Sequence, residues 1–244
     1  MSSPAMNDVI VFTHIPKTSG VSLWRELINP NFRPEEIYEY GRLPEFIRDM
    51  RKPYRFVGGH VPFGLHRFTH RSVQYITFLR DPIDRAISFY YFVQQDGDRP
   101  ETRNPLCTYA ESVSLKEFYE NKRFQNYQTR FLSGFLSTKF YPIFSTALLK
   151  PYVLRTALNN LHHHYACFGI LEERDKSLAL FREKFQWQEL AAVPPMKKTR
   201  NRPQVADIDP DTLATLKAAH DLDLQLYDQA VNLFAEDYER HCSR

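Results

Sequence analysis

No stretch of this 244-residue chain approaches the roughly 18 consecutive apolar residues that a membrane-crossing helix needs. The opening MSSPAMNDVIVF lacks both the basic segment and the long apolar segment of a secretory leader. A soluble, cytoplasmic protein is therefore expected, although a chain trimmed of a targeting segment would look the same. Cysteine is sparse. Cys107, Cys167 and Cys242 are odd in number and far apart, which excludes a zinc signature or disulfide framework and suits a reducing compartment. Neither sign of charge dominates: 32 Lys and Arg against 29 Asp and Glu leave +3, and the total argues for neither nucleic acid nor an anionic membrane as partner. Internal repeats and low-complexity tracts are absent. Glycine is scarce at 8 residues, whereas Phe (19) and Tyr (14) are abundant and point to a tightly packed core. One large domain (1–244), 43% hydrophobic, can bury that core without metals or disulfides.

What is present is an alternation of strand and helix signals. Val9–Phe12 is a short continuous apolar run, as expected of a parallel strand covered on both faces. Behind it Leu23, Trp24, Leu27 and Ile28 recur at helical spacing until Asn29-Pro30, where the helix is expected to stop. Arg55–Val57 running into Gly58-Gly59, Val73–Leu79 and Ala166–Leu171 read as further strands. Asp81 is a natural N-cap, Pro82 suits the first helical position, and Asp84 sits third, as in a capping box. Ser114 to Asn160 reads mostly helical, with breaks near Ser133-Gly134 and Tyr141-Pro142. Later helices are expected over Asp175–Phe185, Pro210–Ala218 and Leu222–Ala235. This order predicts an α/β three-layer fold with a mainly parallel central sheet, whose ligands bind at the carboxyl ends of the strands.

The chemically suggestive stretches gather at those ends. In THIPKTSGVSLW (Thr13–Trp24), Lys17, the hydroxyls of Thr18, Ser19 and Ser22, and the free amides of a helix start converge, which suits an anion. The alternative is a plain strand–helix turn whose hydroxyls cap the helix. This loop is not the triphosphate loop G-x-x-x-x-G-K-[ST], because its only glycine follows the lysine. In TFLRDPIDRAISFYY (Thr77–Tyr91), Arg80 and Ser88 offer a fork and a hydroxyl suited to a terminal phosphate. Arg85 is expected instead to pair with Asp81 or Asp84 on the helix surface. In GGHVPFG (Gly58–Gly64), His60 after two glycines can approach a substrate closely and act as a general base, or be merely structural. KKTRNR (Lys197–Arg202) is either solvated charge or a loop that closes over a multiply charged ligand. No metal is expected. The run His162-His163-His164 points in different directions along a helix, and no acidic pair is placed to hold magnesium.

Together these residues resemble the sulfotransferases that use 3′-phosphoadenosine 5′-phosphosulfate (PAPS), in particular the branch that includes the heparan sulfate 2-O-sulfotransferases and related bacterial enzymes. HIPKTSGVSL is similar to the family's 5′-phosphosulfate loop, P-K-T-[GAS]-[GS]-T-S, and FLRDPIDRAISFYY to its 3′-phosphate motif, R-D-P-x-x-R-x-x-S-x-Y-Y. GGHVPFG resembles the G-H-V stretch that carries a catalytic base, and NYQTRFLSG (Asn126–Gly134) an N-x-Q-T-R-x-L-[SA]-G segment of bacterial members. YACFGILEERDKSLALF resembles a late strand and helix, so the likeness runs from Val9 to about Phe234.

The resemblance implies a phosphate-loop-like sulfotransferase fold and a set of roles. Lys17, Thr18, Ser19, Gly20, Val21 and Ser22 would hold the 5′-phosphosulfate, with Lys17 on the bridging oxygen. Arg80 and Ser88 would bind the 3′-phosphate, and Lys198, Arg200 and Asn201 would belong to a basic loop over the nucleotide. His60 would take the proton of an acceptor hydroxyl on a carbohydrate or glycoconjugate, leaving adenosine 3′,5′-bisphosphate (PAP). Asn126, Gln128 and Arg130 are candidates for acceptor contacts, and Arg99, Arg103 and Arg130 would favour an acidic acceptor. Two departures stand out. Val21 replaces a threonine, the loss of one neutral hydrogen bond of about 1 kcal/mol. Gly58 stands where the heparan sulfate enzymes carry a second histidine, which speaks against a heparan-like acceptor. Two rivals share the fold. A nucleotide kinase-like phosphotransferase is disfavoured by the missing glycine and metal carboxylate, and a non-catalytic nucleotide-binding protein by the presence of both Lys17 and His60.

Overall fold

The computed structural model describes residues 8–18, 20–49, 52–97, 101, 103–188 and 202–242. Five strands form one parallel sheet: β1 (Asp8–Thr13), β2 (Ile37–Glu39), β3 (Phe56–Gly59), β4 (Ser72–Leu79) and β5 (Tyr165–Ile170). Their spatial order is β2-β3-β1-β4-β5. Every β1 residue after Asp8 is buried, as a central parallel strand roofed by helices on both faces requires. The chain lays β2 and β3 on one side of β1 and β4 and β5 on the other, so the switch of direction opens a crevice at the carboxyl end of β1. Register there is locked by side chains. The Thr13 carbonyl accepts from the Thr77 hydroxyl (2.8 Å), and the Thr13 hydroxyl accepts from Tyr165 (3.1 Å), which ties the end of β1 to β4 and to the first residue of β5.

Several elements differ from the sequence expectations. The short edge strand β2 and the helix Leu43–Asp49 had no legible pattern, three residues being too few to show alternation. The first helix does not stop at Asn29-Pro30. It opens as Gly20–Leu23, widens into a π turn over Trp24–Ile28 and closes with Asn29–Asn31. Pro30 falls in the first turn of that last segment, where its fixed φ suits the helix. The last helix runs Asp221–Cys242, past the expected Ala235.

Asp81 caps its helix (Pro82–Gly97) as expected, accepting the Asp84 amide at 2.8 Å. The reciprocal half of the capping box is absent, because the Asp84 carboxylate binds Arg80 and Arg202 instead. The Asp81 amide is met by Glu172 at 3.0 Å. Arg85 is a correction of a different kind. It is fully buried, it pairs with neither Asp81 nor Asp84, and its guanidinium lies 5.5 Å from the Tyr127 ring centre. The reason is packing: the Pro82–Gly97 helix is covered by the helices Pro105–Ser112, Leu115–Glu120, Pro210–Ala219 and Asp221–Cys242. The face bearing Arg85 and Ser88 is therefore interior, and Ser88 is buried as well.

Candidate active site

The crevice is lined by the segments that leave the carboxyl ends of β1, β3 and β4. After β1 the chain places His14, whose amide donates to the Gly59 carbonyl at 3.0 Å. After β3 it places His60, whose Nδ1 lies 2.8 Å from the His14 carbonyl oxygen. A carbonyl can only accept, so Nδ1 carries the proton, and in the neutral ring Nε2 then keeps its lone pair, the tautomer a general base needs. Gly59 makes the turn that delivers His60: its φ of 146° is closed to most side chains, and a Cβ there would lie 2.9 Å from the Tyr40 carbonyl oxygen. The ring of His60 is exposed on one side and stacks on His14 on the other, with centroids 4.7 Å apart and planes 27° apart. Phe12 continues the stack beneath His14 at 5.4 Å.

His14 was passed over in the sequence, although it stands directly behind the first strand. Burial, then the charges of His60 and Lys17, lower its pKa to about 3, so it stacks as a neutral ring. Gly20 makes room for it, since a Cβ there would come within 2.1 Å of the imidazole. This burial makes stability depend on pH. The folded pKa of about 3 lies below the ordinary 6.5, so below about pH 6.5 the unfolded chain binds the extra proton. Stability from this residue is complete above that pH and is lost as pH falls from 6.5 toward 3. His14→Phe, which keeps the stack, is expected to lose less Tm than the native chain between pH 7 and pH 5. Parallel Tm profiles for the two proteins would remove His14 as the source.

Lys17 adopts φ 70°, a left-handed conformation uncommon outside glycine, and its carbonyl accepts from Nη1 of Arg80 at 2.9 Å. Its Nζ lies 4.0 Å above the Phe92 ring. Thr18 is buried, and its hydroxyl donates to the Ile15 carbonyl at 2.9 Å, which closes the turn instead of facing the crevice. Gly20 opens the helix, and Val21 and Ser22 follow on its first turn. Ser19, Lys198, Arg200 and Asn201 lie outside the described residues.

Arg80 joins the two motifs. Its Nε donates to Asp84 at 2.9 Å, its Nη2 pairs with the same carboxylate, and its Nη1 holds the Lys17 carbonyl. The other oxygen of Asp84 takes Arg202 at 2.6 Å, so the end of the KKTRNR stretch is anchored beside the same arginine.

The three candidates for acceptor contacts are corrected by burial. Gln128 grips the backbone of Arg80, its Oε1 accepting the amide at 3.0 Å and its Nε2 donating to the carbonyl at 2.8 Å. The Oδ1 of Asn126 accepts the amides of Leu222 and Asp223, both at 3.0 Å. The guanidinium of Arg130 donates to the carbonyls of Arg123, Gln125 and Thr138. All three side chains are interior, because the helix Tyr127–Ser133 lies beneath the helices Lys150–His164 and Asp221–Cys242. They brace the site from behind. Arg103 is held by Glu111 at 2.6 Å, and Arg99 lies outside the described residues.

Gly58 also has a structural cause. A Cβ there would meet the Trp24 ring at 2.2 Å and Phe56 at 2.8 Å, so an indole fills the space that a second histidine would need.

A model of the sulfotransferase family matches residues 5–240. Human heparan-sulfate 6-O-sulfotransferase 1 is 29% identical over 281 residues, which cover 96% of this chain and 67% of the human protein. Chicken heparan-sulfate 6-O-sulfotransferase 2 is 28% identical, over 96% of this chain and 68% of its own length. Among solved structures, mouse sulfotransferase SULT7A1 complexed with PAP aligns over 94% of this chain and 90% of that one, at 12% identity and a TM-score of 0.36. The family match takes in all five strands and the loops at their carboxyl ends, and the chain belongs to the sulfotransferase family.

Proposed function

We propose that the protein moves the sulfuryl group of PAPS to a saccharide hydroxyl, with His60 as the base. The observation that carries this reading is the bond of His60 Nδ1 to the His14 carbonyl oxygen, which in the neutral ring leaves Nε2 as the proton acceptor. The acceptor O–H gives its proton to Nε2 while its oxygen bonds to sulfur. The sulfur–oxygen bond to the 5′-phosphate breaks, and PAP leaves with the electron pair. Lys17 would neutralise the charge growing on that bridging oxygen, and positioning supplies the rest, so no step requires a metal. The amides that open the first helix, with Ser19, Gly20, Val21 and Ser22, would hold the 5′-phosphosulfate. Three of the five guanidinium N–H groups of Arg80 are engaged among the described residues, and the other two would serve the 3′-phosphate. Lys198, Arg200 and Asn201 would close over the nucleotide from the anchor at Arg202. A saccharide acceptor is supported by relatives named heparan-sulfate 6-O-sulfotransferases. A reducing, cytoplasmic location belongs to the same proposal, with Cys107, Cys167 and Cys242 all free.

Thermal shift tests the donor. PAP at about one hundred times its Kd is expected to raise Tm by about 5–10 °C, and ATP with magnesium to leave it unchanged. Stabilisation by ATP with magnesium alone would replace this reading with a phosphotransferase.

A further inference from the structure

Eight large hydrophobic side chains are exposed among the described residues, and five of them, Leu136, Phe140, Ile143, Leu148 and Tyr152, come from one short segment. Leu136 is 66% exposed, Ile143 64% and Leu148 86%, far beyond the scattered apolar surface of an ordinary monomer. They form successive turns. The Phe140 amide donates to the Leu136 carbonyl and the Ile143 amide to the Phe140 carbonyl, both at 2.9 Å. A sixth exposed residue, Phe68, packs edge-on against Phe135 at 6.1 Å, on the loop that leaves His60.

The charge around this patch is one-sided. From Asn121 to Leu171 the chain has no Asp or Glu, yet it carries six Lys and Arg. Arg130 is buried and Lys150 pairs with Asp221, which leaves Lys122, Arg123, Lys139 and Arg155 exposed. Lys139 lies over the Phe140 ring at 5.4 Å and Arg155 over Tyr152 at 6.0 Å, so cationic heads stand beside the exposed rings. The turn Lys122–Phe124 packs on the helix Tyr141–Phe144 and brings two more cations to the edge near Ile143. Glu120 precedes that turn, and Asp221 is already taken by Lys150.

From this juxtaposition we infer that the face docks on an anionic lipid bilayer. Aliphatic tips at this exposure gain nothing from a hydroxylated polysaccharide, but they gain burial at the headgroup–acyl boundary, where the cations meet lipid phosphates. The small net charge of the whole chain hides this local excess. The inference is independent of the donor and acceptor assigned above.

The test is co-sedimentation of the full chain with phosphatidylcholine vesicles, with and without phosphatidylglycerol. Binding is expected only to the anionic vesicles and is expected to weaken with salt. The double variants Ile143→Glu/Leu148→Glu and Lys139→Glu/Arg155→Glu are each expected to lower it about tenfold or more. All four side chains are exposed, so Tm and PAP affinity should match the native chain and report an intact fold. Equal binding to both vesicle types, or undiminished binding by the variants, would overturn the inference. So would absent vesicle binding combined with self-association or heparin retention that the same variants abolish; the face would then serve a second copy or a polyanion.

Discussion

Replacing His60 with alanine is expected to lower kcat by about 10²–10⁴-fold and to leave PAP affinity nearly unchanged. The imidazole stands at the end of β3, fixed through Nδ1 and stacked on a neutral ring. His60 also touches the β1 loop, through the His14 carbonyl and the stacked ring, but that loop keeps two other anchors: the His14 amide on the Gly59 carbonyl and the Lys17 carbonyl on Arg80. Removing His60 should therefore take away the proton acceptor without loosening the donor loop. Calorimetric titration with PAP and labelled sulfate transfer from PAPS to a desulfated polysaccharide read the two effects separately. Loss of PAP affinity in step with kcat would move His60 to the donor side. An unchanged kcat would end its role as base.

The largest effect on stability is expected at Asp223, in the buried polar network behind the site. Asp223 is fully buried and accepts the Gln128 amide (3.2 Å), the Thr129 amide (2.7 Å) and the Thr129 hydroxyl (2.7 Å). Burial acts to raise its pKa, but His220 at 3.6 Å, the Arg85 charge and the Thr129 amide outweigh it and hold the group below the usual carboxylate range. Arg85, also fully buried, forms no ion pair among the described residues, and the Asp223 carboxylate is an opposite charge that it interacts with at longer range. Asp223→Ala would leave a buried cation uncompensated and three donors unmet. The expected cost is about 3–5 kcal/mol, out of the 5–15 kcal/mol typical of a whole domain. For a chain of this length Tm should fall by about 10 °C or more, read by calorimetry. A shift of only a degree or two would mean that water replaces the carboxylate without loss. The sign with pH agrees: a depressed carboxylate contributes fully above the unfolded value of 3.8 and loses that contribution as pH falls below it. Acid should thus act in two stages, through His14 below about pH 6.5 and through Asp223 below about pH 4.

The catalytic side of the fold was legible because its signals are local. An apolar run before THIPKTSG, Gly58-Gly59 before His60, and Asp81-Pro82 after Val73–Leu79 each declare a strand end or helix start within a few residues. Parallel strands then bring such ends to one edge of the sheet whatever the loop lengths between them. The interior of the polar network was not legible. Arg85 looked like a surface residue beside Asp81 and Asp84, and Asn126, Gln128 and Arg130 looked like acceptor contacts. Two of them have partners far along the chain: Gln128 grips Arg80, and Asn126 caps the start of a helix nearly one hundred residues later.

By itself, the sequence determined the α/β alternation, the loop that follows β1, the histidine that follows β3 and the arginine that follows β4, since periodicity and turn chemistry are properties of neighbours in the chain. Only the tertiary structure decided which polar residues face the crevice and which stand behind it. Whether a polar side chain meets water or protein depends on which later helix covers it, and the covering helices Pro210–Ala219 and Asp221–Cys242 close over the Arg85 face from the other end of the chain.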